Sequence, residues 1–228
     1  MKDPYVYENS NVLINKLNIK DLKKLDEAEG AIVSLNMTNL LINPIKIKSV
    51  FDIKKIHKAL FNDLYEWAGE NRKMNMYKDE PILGGLSVTY SDYKNIDAHL
   101  KRLDLSFKAI KWEDLSKKET IEVLVDTISK LWRIHCFREG NTRTVTTFLY
   151  LLMKQINLKM NVDFIGKHAK YFRNALVLAS IDQYSEYEYL ENILMDSISL
   201  KVQSTGQYKT IREYEVDKYE YRSHKYKD

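Results

Sequence analysis

Two apolar stripes that meet at a short polar corner constrain this chain more than any other feature. Ile121, Leu124, Val125, Ile128, Leu131 and Trp132 recur at helical spacing, and His135 falls on the same stripe. Val145, Phe148, Leu149, Leu152 and Ile156 mark a second amphipathic helix. Between them, the nine residues from His135 to Arg143 hold an imidazole, a carboxylate, a Gly-Asn turn and an arginine. The motif is therefore a tight helix–loop–helix corner, with Gly140-Asn141 leading into the second helix. Backbone N–H groups at a helix start lack intrahelical acceptors, so they form a natural anion site, and glycine there lets a phosphate come close. Glu139, just upstream, can hold a Mg²⁺ that the same phosphates share. These parts suit nucleotide chemistry.

The rest of the chain also reads as helical, because 7 Gly and 3 Pro among 228 residues disfavour a turn-rich β fold. A short helix is expected over 12–19 and a longer one over 20–40, ended by Asn43-Pro44. Ile53, Ile56, Leu60, Leu64 and Trp67 stripe the next, which stops near Gly69. Further helices are expected at Tyr93–Lys108 and over 115–135. Another carries Phe164, Ile165, His168, Phe172, Ala175, Leu176 and Ala179, and one more covers 186–200. The non-helical candidate is Pro81–Thr89, where Gly84-Gly85 between β-prone residues signals a hairpin. The pattern gives one domain over residues 1–200 and a C-terminal appendage over 201–228, rich in Tyr, Lys and Glu.

Composition narrows the function classes. One cysteine excludes an internal disulfide framework and fits a reducing compartment. No apolar run approaches the ~18 residues of a membrane span, and Met1-Lys2-Asp3-Pro4 opens no signal-peptide core. The expected location is cytoplasmic, unless the protein is delivered as an effector, with no membrane partner. Net charge is +4, but 36 basic residues are interleaved with 32 acidic ones. That is a solvated, lysine-rich surface, so nucleic acid is not an expected partner.

The corner Ile134-His135-Cys136-Phe137-Arg138-Glu139-Gly140-Asn141-Thr142-Arg143 resembles the signature of the Fic family, HPFx(D/E)GN(G/K/T)RxxR. The segment from Ile56-His57 through Leu60-Phe61, Asp63-Leu64-Tyr65 and Trp67-Ala68-Gly69 to Arg72 resembles the family's upstream helix, HxxLFxDLYxWAGxxR. Pro4-Tyr5-Val6-Tyr7 followed by Asn11-Val12-Leu13 is similar to its lead-in. The likeness covers roughly residues 1–200. It implies a mostly α-helical Fic fold with one β-hairpin flap at Ile82–Thr89, which holds an extended segment of a target protein. It also implies transfer of AMP from ATP, with Mg²⁺, to a Tyr, Thr or Ser hydroxyl of that target. Relatives that move UMP, phosphocholine or phosphate share the signature, and a catalytically weak binding module is the reading from another class. A separate antitoxin-like inhibitor is a further partner open to such an enzyme.

Within this resemblance, His135 is the general base and Glu139 the metal carboxylate. Gly140 and Asn141 bind phosphates through backbone amides and the Asn side chain, and Arg143 binds phosphate oxygens. Asn141 also suits a helix N-cap, and Phe137 an apolar anchor for the loop. Arg138 has no assigned role. Two residues depart from the signature: Cys136 stands for its proline and Thr146 for its second arginine. Cys136 is read as a buried thiol that fills volume rather than a nucleophile. In the family, the second arginine pairs with a glutamate on an inhibitory helix, in the pattern (S/T)xxxE(G/N). Leu25-Asp26-Glu27-Ala28-Glu29-Gly30 lacks the first residue of that pattern, and Val216–Tyr221 keeps only Glu220. With Thr146 unable to pair, little autoinhibition is expected from Glu29 or Glu220.

Overall fold

The structure, a computed structural model, describes residues 3–181 and 185–199. Its elements are α1 (Leu22–Ile42), α2 (Asp52–Phe61), α3 (Ile96–Lys108), α4 (Lys117–Ile134), α5 (Asn141–Gln155), α6 (Val162–Lys167), α7 (Ala169–Leu178) and α8 (Glu188–Ser199). Side-chain caps start several of them. Asp21 accepts the Lys24 N–H at 2.9 Å, and Ser116 and Glu119 form a reciprocal capping box at the start of α4. α5 packs between α2 and α4, while α1 covers α2, α3 lies along α4, and α8 joins α4 and α7. Phe61, Trp132, Phe137 and Phe148 are fully enclosed at this junction. The α4–α5 corner is thus built on fully buried aromatic packing. No helix among the described residues is long and apolar enough to cross a membrane.

The helical reading holds, with four local corrections. Residues 12–19 form no helix. Asn15 donates to Leu13 C=O at 2.9 Å and Ile19 C=O at 2.7 Å and accepts the Ile19 N–H at 3.0 Å, so a side-chain amide does what a helical ladder would do. α2 stops at Phe61 rather than near Gly69. There the chain turns back so closely that a Cβ on Gly69 would meet Lys54 O at 2.9 Å. The 164–179 stripe is two helices broken at His168, whose φ of −110° leaves the helical region.

The expected flap hairpin at Ile82–Thr89 is also absent as a pair of strands. Gly84 and Gly85 do turn the chain with φ of 67° and 91°, but the residues before them form a 3₁₀ turn, Pro81–Leu83. Glu80 N–H bonds Leu86 C=O at 3.1 Å, whereas the Lys78 N–H is taken by the Ser87 side chain at 3.2 Å. Pro81 has no N–H to offer, and a side-chain acceptor replaces the next ladder partner, so a loop forms instead of a ladder. The appendage 201–228, with Glu220, lies outside the described residues.

Candidate active site

His135 ends α4 in the left-handed region, with φ 53° and ψ 59°. A non-glycine residue holds that conformation only when its surroundings dictate it. Arg72 supplies the constraint: enclosed at the corner, it donates from Nε to His135 C=O at 2.7 Å and from its backbone N–H to Cys136 C=O at 2.7 Å. It also donates to Met74 C=O at 2.6 Å and to Ser91 C=O. A single buried guanidinium therefore joins the segments on either side of the flap loop to the corner.

The His135 ring is 2% exposed and lies 4.0 Å from the Tyr90 ring, centroid to centroid. Nδ1 faces Trp132 C=O at 3.2 Å, and a carbonyl only accepts, so Nδ1 carries the proton. Nε2 is then an unprotonated lone pair, and it is buried without a partner among the described residues. Burial, with Lys78 next in order, holds the His135 pKa well below the usual histidine value. The imidazole is neutral at pH 7 and lines a cavity of about 180 Å³ with Glu139, Gly140, Asn141 and Arg143.

His57, on α2, holds the same corner from the other side. Its Nδ1 accepts the Gly69 N–H at 2.8 Å, so Nε2 carries the proton and donates to Glu139 C=O at 3.1 Å. Burial lowers its pKa to about 3, and its ring stacks on Phe137 at 3.8 Å. Phe137 is the apolar anchor expected. Cys136 is buried as a thiol whose pKa burial pushes up to about 12, which removes it as a nucleophile at neutral pH.

Gly140, at φ 77°, is the N-cap of α5. A Cβ there would sit 2.3 Å from Phe61 Cζ, so only glycine lets the helix start this close to α2. Asn141 is the first helical residue rather than the cap. Its side chain accepts the Phe137 N–H at 3.0 Å and donates to Phe137 C=O at 2.7 Å. Those two buried backbone groups need partners, so the amide closes the loop and is not turned to a ligand. The first-turn backbone N–H groups of α5 lack intrahelical acceptors, as at any helix start.

Glu139 accepts the Gly140 N–H at 2.8 Å and lies 3.7 Å from Arg143. Burial works against its carboxylate, but Lys78, the Gly140 amide, Arg143 and Arg138 outweigh that and hold its pKa below the glutamate range. No cluster of three or more metal-ligating side chains exists among the described residues. A cation here would be held by Glu139 together with oxygens of a ligand, which is how Mg²⁺ commonly sits beside phosphates. The residues present fit that use. Arg138, left without a role by the sequence, donates to Asp3 at 2.9 and 2.7 Å and ties down the N-terminal segment.

The largest correction concerns Glu29. Expected to lack an arginine partner, it accepts a hydrogen bond from Arg143 through Oε1 and one from the Tyr65 hydroxyl through Oε2. Thr146 plays no part in this; its hydroxyl donates to Thr142 C=O at 2.8 Å. The carboxylate takes the first arginine of the corner in place of the absent second one. Its place was legible in part: Leu25, Glu29, Val33 and Leu40 share the buried side of α1, so an acid interrupts an apolar stripe.

A neutral imidazole, a carboxylate and the start of α5 thus line one cavity. Residues 49–153 match the family model described as Fic/DOC family. This part of the chain belongs to the Fic/DOC family. The protein adenylyltransferase VbhT of Bartonella schoenbuchensis is 30% identical over 183 residues, which are 80% of this chain and 36% of that protein. A protein adenylyltransferase of Bartonella henselae is 26% identical over 204 residues, 84% of this chain and 36% of the relative. The chain therefore spans little more than a third of either. The N-terminal Fic domain of a VirB-translocated Bep effector protein from Bartonella quintana is 25% identical with a TM-score of 0.71, over 85% of this chain and 90% of that one. The BepC protein of Bartonella tribocorum, solved with bound AMPPNP, has a TM-score of 0.70 at 23% identity, over 85% and 95% of the two chains, and shares the fold.

Proposed function

We propose that this chain is a protein adenylyltransferase that moves AMP from ATP to a hydroxyl of a target protein. The observation that carries the reading is the neutral, partnerless Nε2 of His135 beside the open amides of the α5 start. A Tyr, Thr or Ser hydroxyl of the target gives its proton to Nε2, and its oxygen forms a bond to the α-phosphorus. The bond from that phosphorus to the oxygen bridging to the β-phosphate breaks, and pyrophosphate leaves. The α5 amides and Arg143 bind the phosphates, so catalysis is mainly positioning and charge stabilisation. Mg²⁺ held by Glu139 supplies neutralisation of phosphate charge. The loop at Ile82–Thr89 is the segment against which the target's chain would lie, and a separate antitoxin-like partner remains compatible with this reading.

Glu29 acts as a brake in this scheme, because its carboxylate occupies the arginine that phosphates need. The name carried by the two Bartonella adenylyltransferases supports AMP over other groups. The test is parallel incubation of the protein with a lysate and ATP labelled at the α or the γ position. Protein labelled from the α position alone is expected. Label from the γ position alone would overturn AMP transfer in favour of phosphate transfer.

A further inference from the structure

Three cations face the cavity at the α4–α5 corner: Lys78, Arg143 and Arg173. Two are already held. Arg143 is bonded to Glu29, and Arg173 grips the fully buried Glu80 with both nitrogens, at 2.7 and 2.9 Å. The Lys78 ammonium makes no hydrogen bond or ion pair among the described residues, although its side chain is only partly exposed. A partly buried ammonium with no hydrogen-bond partner has donors open to an anion that enters the cavity.

Lys78 is also aimed rather than loose. Burial alternates over residues 76–80, with Met76, Lys78 and Glu80 more enclosed and Tyr77 and Asp79 exposed, and Glu80 is extended at φ −104° and ψ 108°. Two residues beyond Lys78, Glu80 is clamped by Arg173 and accepts the Tyr90 hydroxyl at 3.3 Å, and Tyr90 in turn lies against His135. The Lys78 N–H is fixed to Ser87. The ion pair between buried Glu80 and Arg173 of α7 thus anchors the segment that carries the lysine. Lys78 dominates the favourable electrostatics at Glu139 and is the foremost charge acting on His135. Its side chain shares the lining of this one cavity with His135, Glu139 and Gly140.

We infer that Lys78 is a further catalytic residue, binding the oxygens of the ligand's phosphate chain between His135 and Glu139. The inference rests on the nucleotide reading above and adds to it a cation from the segment that leads into the flap loop. Such a lysine supplies part of the positive charge that the chain lacks with Thr146 in place of the second arginine. It also links target binding on the loop to phosphate binding beneath it, since one segment does both.

The test uses the full chain and its Lys78→Ala and Lys78→Arg variants, each with and without Glu29→Gln, with thermal melting to verify folding. Binding of ATP, adenosine and inorganic pyrophosphate is measured by calorimetry. Lys78→Ala should weaken ATP and pyrophosphate by about tenfold or more and leave adenosine unchanged, with Lys78→Arg recovering most of the loss. Unchanged ATP and pyrophosphate affinity in folded Lys78→Ala would overturn the inference while leaving the nucleotide reading in place. Equal weakening of adenosine would overturn it as well, since the lysine would then be supporting the loop. Pyrophosphate binding that depends on Lys78, with no gain from adenosine on ATP, would sink the nucleotide reading and keep the lysine as an anion ligand.

Discussion

Replacing Glu29 by Gln keeps its shape and removes the charge that holds Arg143. The pair is neither exposed nor fully buried: side-chain exposure is 36% for Arg143 and 11% for Glu29. A unit charge pair at contact is worth ~4 kcal/mol at an effective dielectric near 20, and solvent on the arginine side roughly halves that. Phosphates competing for Arg143 should therefore gain about 2 kcal/mol, or about 30-fold in ATP affinity. That exceeds the little autoinhibition expected from Glu29 while Thr146 left it without an arginine partner. Gln is preferable to Gly, because glycine inside α1 adds about 1 kcal/mol of helix cost and leaves the Tyr65 hydroxyl without its acceptor. Titration calorimetry with ATP gives the affinity, and labelled transfer to a lysate gives the activity. Tyr65→Phe should move both in the same direction by a smaller amount, because it loosens Glu29 without discharging it. Glu29→Gln with wild-type ATP affinity and wild-type transfer would refute the brake.

Three other outcomes check the site. His135→Ala should lower transfer ~10²–10⁴-fold with little change in ATP affinity, and near-normal transfer would remove it as the base. Gly140→Ala should destabilise by roughly 3 kcal/mol, because positive φ and the clash with Phe61 combine, which lowers the melting temperature by about 6–12 °C; a neutral effect would show that the α2–α5 approach is looser than described. Burial depresses the pKa of both His57 and His135, so the unfolded chain binds more protons below the free histidine value. Their stabilisation is therefore complete above ~pH 6.5 and falls by about 1.4 kcal/mol per pH unit for each as pH drops. Urea unfolding at pH 7 and pH 5 reads this loss before carboxylates titrate, and equal stability at both would contradict neutral burial of the pair.

Much of this protein was legible in the chain, for reasons that are local. The stripes that become α4 and α5 follow from apolar periodicity, and the tight corner from the few residues between them. Gly140 was read as the residue that lets a phosphate come close; the structure adds a packing demand, since a Cβ there would meet the Phe61 ring. Where local signals compete, reading failed: Asn15 mimics a helical turn with its side chain, and Gly84-Gly85 turns the chain without producing strands. Asn141 looked like a phosphate ligand because the residue type suits one. Its side chain instead satisfies Phe137, a demand that exists only once that loop is buried.

By itself, the sequence determined the helical class, the corner and the chemical groups within it, because periodicity and turn chemistry act over a few residues. Tertiary structure alone decided which charges meet. Glu29 and Arg143 are 114 positions apart, and Glu80 and Arg173 are 93 apart. No local pattern encodes such pairs; they arise when packing α1 and the flap loop onto α5 and α7 takes their charges out of water and leaves each one needing an opposite partner.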